Sequence, residues 1–192
     1  MVTLRASDPR DQRGMTLIEV LVTVVILAIG LLGLVGLQAR LQVLQVESYQ
    51  RAQALMLLKD MAGRIANNRN NADDYVTTDP LGSGPDACPT ATATRQQADV
   101  AEWCSLLKGA SEETGGGAQV GAMVGGRGCV EDLGSGQYMV TVAWQGLAPI
   151  SAPPESVTCG FGDFDATDAD AVCQDDLCRR VVTTIVRIAE LT

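Results

Sequence analysis

Residues 13–37 read RGMTLIEVLVTVVILAIGLLGLVGL. From Met15 to Leu37 the stretch is apolar except for Thr16, Glu19 and Thr23. At a helical rise of about 1.5 Å per residue it crosses a hydrocarbon core roughly 30 Å thick. Its one charged residue is Glu19. A carboxylate inside a membrane-length run is expensive to insert and usually marks a function. The plainer reading is a glutamate at the membrane edge that reaches back to water.

Upstream, residues 1–14 are polar and carry Arg5, Arg10 and Arg13 against Asp8 and Asp11. A cationic leader stays on the cytoplasmic side, so the chain beyond the apolar run is translocated. An ordinary export signal is cut after its apolar stretch, at a small-residue site. No such site lies beyond Leu37, and helix-forming sequence continues instead.

The chain has 192 residues, a formal net charge of −9 and no histidine. Ser-His-Asp and Cys-His catalysis and His-ligated zinc are therefore excluded. The acidic balance argues against a nucleic-acid partner, because phosphate binding needs basic patches. All six cysteines (Cys88, Cys104, Cys129, Cys159, Cys173, Cys178) lie after the apolar run. An even number on one side of a membrane segment points to disulfides in an oxidising compartment.

The motif Arg13-Gly14-Met15-Thr16-Leu17-Ile18-Glu19-Val20-Leu21 resembles the class III signal of type IV prepilins and type II secretion pseudopilins. The resemblance implies cleavage between Gly14 and Met15 by a membrane aspartyl peptidase, the prepilin peptidase, with subsequent N-methylation of Met15. Gly14 suits that role, since a residue without a side chain lets a protease approach the backbone. Cutting there leaves the apolar run on the mature protein. It also creates an α-amino group at Met15 with a pKa near 8. The Glu19 carboxylate of one subunit then pairs with the Met15 ammonium of its neighbour, far more strongly in an apolar medium than in water. That pair would set subunit register.

The helical pattern continues beyond the membrane. Leu41, Leu44, Ser48, Ala52, Leu55, Leu58, Ala62 and Ile65 recur at spacings of three and four, predicting one buried face. Gln42, Gln45, Arg51, Lys59 and Arg64 are assigned to the opposite face. No proline interrupts Met15 to Asn67, and the asparagines at 67, 68, 70 and 71 end the pattern. Such a helix is about 80 Å long. Gly30, Gly33 and Gly36 allow either close helix packing in lipid or local softening. Ala28 to Gln38, and Gln53 to Leu55 with Lys59 to Asn67, resemble the minor pilins called type IV pilus modification proteins, the PilV family.

Residues 68–192 form the expected head. Gln96 to Leu107 predicts a short helix with Val100, Trp103, Cys104 and Leu107 on one side. Gln137 to Gln145 alternates as a strand with Tyr138, Val140, Val142 and Trp144 on one face. Arg179 to Leu191 predicts a second strand and Ala118 to Val124 a weaker third. Gly125-Gly126-Arg127-Gly128 reads as a turn, and no phosphate-cradling motif occurs. Asp99 to Trp103 and Gly136 to Trp144 also resemble the PilV minor pilins.

The fold expected is α+β, of type IV pilin type: a long helix whose second half packs on a small antiparallel sheet with disulfide-stapled loops. Its parts are leader 1–14, helix 15–67 with a transmembrane span at 15–37, and periplasmic head 68–192. Local pairing puts Cys88 with Cys104 and leaves two bridges among Cys129, Cys159, Cys173 and Cys178; a zinc site at Cys173 and Cys178 is the lesser alternative. Asp163, Asp165, Asp168, Asp170, Asp175 and Asp176 make either a solvated loop or a Ca²⁺ loop, without EF-hand spacing. No convergent catalytic set is visible, so no enzymatic role, cofactor or metal is expected.

The resemblance implies a low-abundance subunit that primes pilus assembly and supports adhesion and twitching motility. Its partners would be other minor pilins, the major pilin and a tip-associated adhesin, first in the inner membrane and then in the extracellular fimbrium. A minor pseudopilin of a type II secretion system is the alternative. A bitopic periplasmic enzyme or receptor would instead retain Met1.

Overall fold

Helix α1 spans Leu17–Asn67 without a break, as expected from a run free of proline. The computed structural model describes residues 16–84, 88–110, 115, 123–168 and 171–189. Two compact units divide the chain, Met1–Gln42 and Val43–Thr192, and α1 contributes to both.

In the second unit a 3-10 helix, Arg69–Tyr75, comes directly after α1. Then come β1 (Leu81–Gly82), α2 (Arg95–Leu107), β2 (Arg127–Gly134), β3 (Gln137–Gln145) and β4 (Arg179–Arg187). The strands form one antiparallel sheet in the order β1-β2-β3-β4. This long apolar helix, four-stranded sheet and set of bridged loops fit the type IV pilin fold.

Helix α2 starts where a capping box starts it. Thr94 Oγ1 accepts from the Gln97 backbone N–H, and the Gln97 side chain accepts from the Thr94 N–H. The buried side of α2 carries Val100, Trp103, Cys104 and Leu107, as its spacing predicts. Trp103 is wholly buried, and its indole N–H donates to the Leu57 carbonyl of α1 at 2.9 Å.

Strand β3 has the predicted bounds, and Tyr138, Val140, Val142 and Trp144 line the main core with Ala54, Leu58, Met61 and Ile65 of α1. Its other face is covered too. Cys129, Ala143, Cys159 and Phe164 form a second apolar cluster beneath the loop after β3. Disulfides join Cys88 to Cys104, Cys129 to Cys159 and Cys173 to Cys178.

Five expectations are corrected. Residues 118–122 of the weak third strand lie outside the described residues, and Met123 and Val124 are not in a strand. The strand begins instead at Arg127, inside the glycine run read as a turn. Gly128 is there because a Cβ at that position would sit 2.3 Å from Trp103 Cη2. A glycine inside a strand often marks such a close approach. The last strand ends at Arg187 rather than Leu191; Ile188 and Ala189 lie beyond it, and 190–192 lie outside the described residues.

The buried stripe of α1 is Gln50, Ala54, Leu58, Met61 and Ile65, whereas Leu41, Leu44 and Leu55 are exposed. The predicted stripe advances about 3.4 residues per step, short of the 3.6 of an α-helix, so it winds around the helix by about 120° from end to end. Arg64, assigned to the solvent face, is half-buried and bound on three sides.

Candidate functional site at the start of the long helix

Gly14 and Met15 lie outside the described residues, so the site is described from Thr16 onward. The Thr16 carbonyl accepts the first helical bonds, from Glu19 N–H at 3.0 Å and Val20 N–H at 3.3 Å. Glu19 thus sits in the first turn of α1, where the partial positive charge of the free N–H groups favours a carboxylate. Thr23 directs its hydroxyl to the Val20 carbonyl at 2.8 Å, which satisfies that polar group within the helix. No described residue pairs with the Glu19 carboxylate.

Around it the helix is apolar on every side. Each residue from 16 to 46 is exposed, including Leu17, Ile18, Leu27, Ile29, Leu32 and Val35. An 18-residue window of α1 is long and apolar enough to cross a membrane, and none of it is buried. Nothing lies within 4 Å of a Cβ built at Gly30, Gly33 or Gly36. Up to Leu37 the helix therefore presents a continuous apolar surface with one anionic point near its beginning.

The head-proximal end of α1 is organised by ions as well as by apolar packing. Arg64 reaches Asp60 at 2.8 Å, Asp99 at 2.9 Å and Glu102 at 2.9 Å. Three carboxylates hold its guanidinium firmly protonated against the opposing cost of burial. Tyr75 donates to Asp99 at 2.6 Å, and its hydroxyl is pushed up to about 12 by burial and by that carboxylate. Tyr138 donates to Asp73, which with burial also pushes its hydroxyl up to about 12. This network was not expected from the sequence. Its local signal was the i,i+4 spacing of Asp60 to Arg64 and Arg95 to Asp99.

The acidic stretch turns inward. Asp163 pairs with Arg127 at 3.0 Å, and Asp165 accepts from the Asp176 backbone N–H at 2.8 Å. Asp176 is buried, 3.0 Å from Arg179 and 3.0 Å from the Gly162 N–H. These carboxylates pin the loop over the second cluster, and Asp170 lies outside the described residues. Among the described residues no group of three or more His, Cys, Asp or Glu could hold a metal ion.

Residues 9–35 match the family model described as the prokaryotic N-terminal methylation motif. That motif supports a type IV pilin-like or pseudopilin-like subunit. No curated protein and no solved structure matches the chain. The match takes in Gly14, Met15 and Glu19, and it stops just short of Gly36. A pilin-like start is consistent with processing by prepilin peptidase and with assembly among other pilins. The exposed apolar helix fits membrane anchoring. Pilin-like chains serve as structural subunits, which suggests that this one is not an enzyme.

Proposed function

We propose that this chain is a minor pilin of the type IV pilus, of the PilV kind. It is anchored by residues 15–37, carries a periplasmic head at 68–192, and enters a tip complex with other minor pilins that primes the filament. One observation carries the reading. Glu19 stands without a described partner in the first turn of α1, the lone carboxylate of a stretch that is fully exposed and apolar as far as Leu37, inside a matched methylation motif. Removal of residues 1–14 would free an ammonium group at Met15, and Glu19 is an acid that a neighbouring subunit's amine can reach. In an apolar medium such a pair is far stronger than in water, and the unpaired alternative is a charge in lipid.

The PilV assignment is supported by where the resembling segments lie. Lys59 to Asn67 supplies Arg64, Asp99 to Trp103 supplies its partner Asp99, and Gly136 to Trp144 supplies core residues that pack on α1. The more selective segments thus build one helix-to-head joint.

The test is mass spectrometry of the N-terminus of the membrane form. A chain beginning at N-methylated Met15 is expected; one that begins at Met1 overturns the reading. A minor pseudopilin would share that terminus, so gene deletion separates the two. Loss of surface pili with retention of the major pilin in the membrane supports the minor pilin, and unchanged piliation with failed secretion supports the pseudopilin.

A further inference from the structure

The two edges of the sheet are treated differently. At the β2 edge, β1 pairs with Gly128 and Arg127, and Thr77 exchanges bonds with Val130, its N–H donating at 2.9 Å and its hydroxyl accepting at 3.1 Å. At the other edge, β4 has no strand beside it among the described residues.

Its register shows which groups are free. Ile188 N–H donates to Gly136 at one end of the β3–β4 ladder, and Gly146 N–H donates to Cys178 at the other. In an antiparallel pair, residues that exchange bonds alternate with residues that do not. Val181, Thr183, Ile185 and Arg187 therefore direct their N–H and C=O groups outward, and no described group meets them. The segment Val181 to Val186 is β-branched throughout, with no proline, lysine or bulge to discourage pairing, and Thr183 and Ile185 are exposed. Such an edge is a template for another strand.

The edge opens at its start into a groove of about 380 Å³, lined by Glu47, Arg51, Trp144, Arg179, Arg180 and the loop at 150–154. Arg51 and Arg180 lie there with one carboxylate, Glu47, on the α1 side of the sheet, in a chain of net charge −9. Arg180 lies 3.6 Å from Glu47, and Arg179 is bound to Asp176 behind the groove. Arg51 has no ion pair among the described residues. The Nε–H of Arg180, a residue nine-tenths buried, donates to no described group. A buried donor without an acceptor is costly, and a carboxylate satisfies it.

We propose that β4 takes an extended, acidic segment of another polypeptide as a fifth strand, with a carboxylate side chain seated between Arg51 and Arg180. Backbone bonds to Val181, Thr183 and Ile185 supply affinity, and the arginine groove fixes register and sign. Nothing in this edge depends on the filament role proposed above.

The test uses the full chain in detergent and a fluorescein-labelled peptide, acetyl-Thr-Val-Thr-Val-Thr-Asp-Glu. Saturable anisotropy is expected, weakening with salt. Replacing Asp-Glu by Lys-Lys, or N-methylating alternate peptide bonds, should weaken binding by roughly tenfold or more. Arg51→Glu should do the same to the acidic peptide, and Ile185→Lys should weaken it from the strand side; both positions are exposed, and near-ultraviolet circular dichroism checks their fold. No saturable binding, equal binding of the acidic and basic peptides, or indifference to N-methylation overturns the proposal. So does a dimer that Ile185→Lys dissociates and the peptide does not, since the edge would then belong to a second copy.

Discussion

One helix, α1, is built in two chemistries. Up to Gln42 it is exposed at every described position, and its surface is largely Leu, Ile and Val. From Val43 to Asn67 it alternates, burying Gln50, Ala54, Leu58, Met61 and Ile65 while Arg51, Lys59 and Ala66 stay outside. Both stretches are helical, since backbone hydrogen bonding is indifferent to what surrounds the side chains. They differ in where the apolar surface goes. The second stretch finds its cover in the head. The first has none among the described residues, and so large an apolar surface calls for lipid or another protein.

Four experiments probe that contrast. The largest effect belongs to the first stretch. Glu19→Ala should abolish incorporation into sheared surface filaments while leaving the protein folded and in the membrane; wild-type incorporation would remove the proposed role of this acid. In the second stretch, Trp103→Ala removes the side chain that fills the space between α1, α2 and Gly128. It should cost about 3–5 kcal/mol, read as denaturant unfolding of the head, with membrane insertion unchanged.

Gly128→Ala approaches the same contact from the strand. The added Cβ would lie 2.3 Å from Trp103, so one of the two must shift. A loss of about 1–3 kcal/mol is expected, and Trp103→Phe in the same chain should recover part of it. An unaltered midpoint would mean that the ring moves freely.

The smallest effect is on pH. Tyr75 and Tyr138 are raised from 10.0 to about 12 in the folded head. Between these values the unfolded chain has released protons that the native state still holds, so stability declines as pH rises. It is fully present below about pH 10 and lost through about pH 12. Tyr75→Phe should flatten that slope in thermal melts taken across the window, and a slope equal to wild type would show that Asp99 does not hold the phenol.

Much of the head was legible from alternation and spacing. Gln137 to Gln145 alternates because one face of β3 meets α1, and Val100, Trp103, Cys104 and Leu107 share a side because α2 is amphipathic. What misled were residues whose reason lies elsewhere in the chain. The glycine run that leads into β2 looks like a turn throughout until Trp103 is seen over Gly128. Arg64 looks solvated until Asp99 and Glu102 arrive from a helix more than thirty positions away. The aspartates after β3 look like a solvated or cation-binding loop until Arg127 and Arg179 are placed against them.

The anchor could be read without any coordinates. A membrane-length apolar run, its lone acid and the glycine before it are local facts, and insertion into lipid depends on composition along one segment. Folding of the head was needed to show which stripe of α1 is buried, where β2 begins, which carboxylates meet which guanidiniums, and that β4 ends the sheet with an edge that no described strand covers. These depend on pairs of residues distant in the chain, and no window along it contains both members of such a pair.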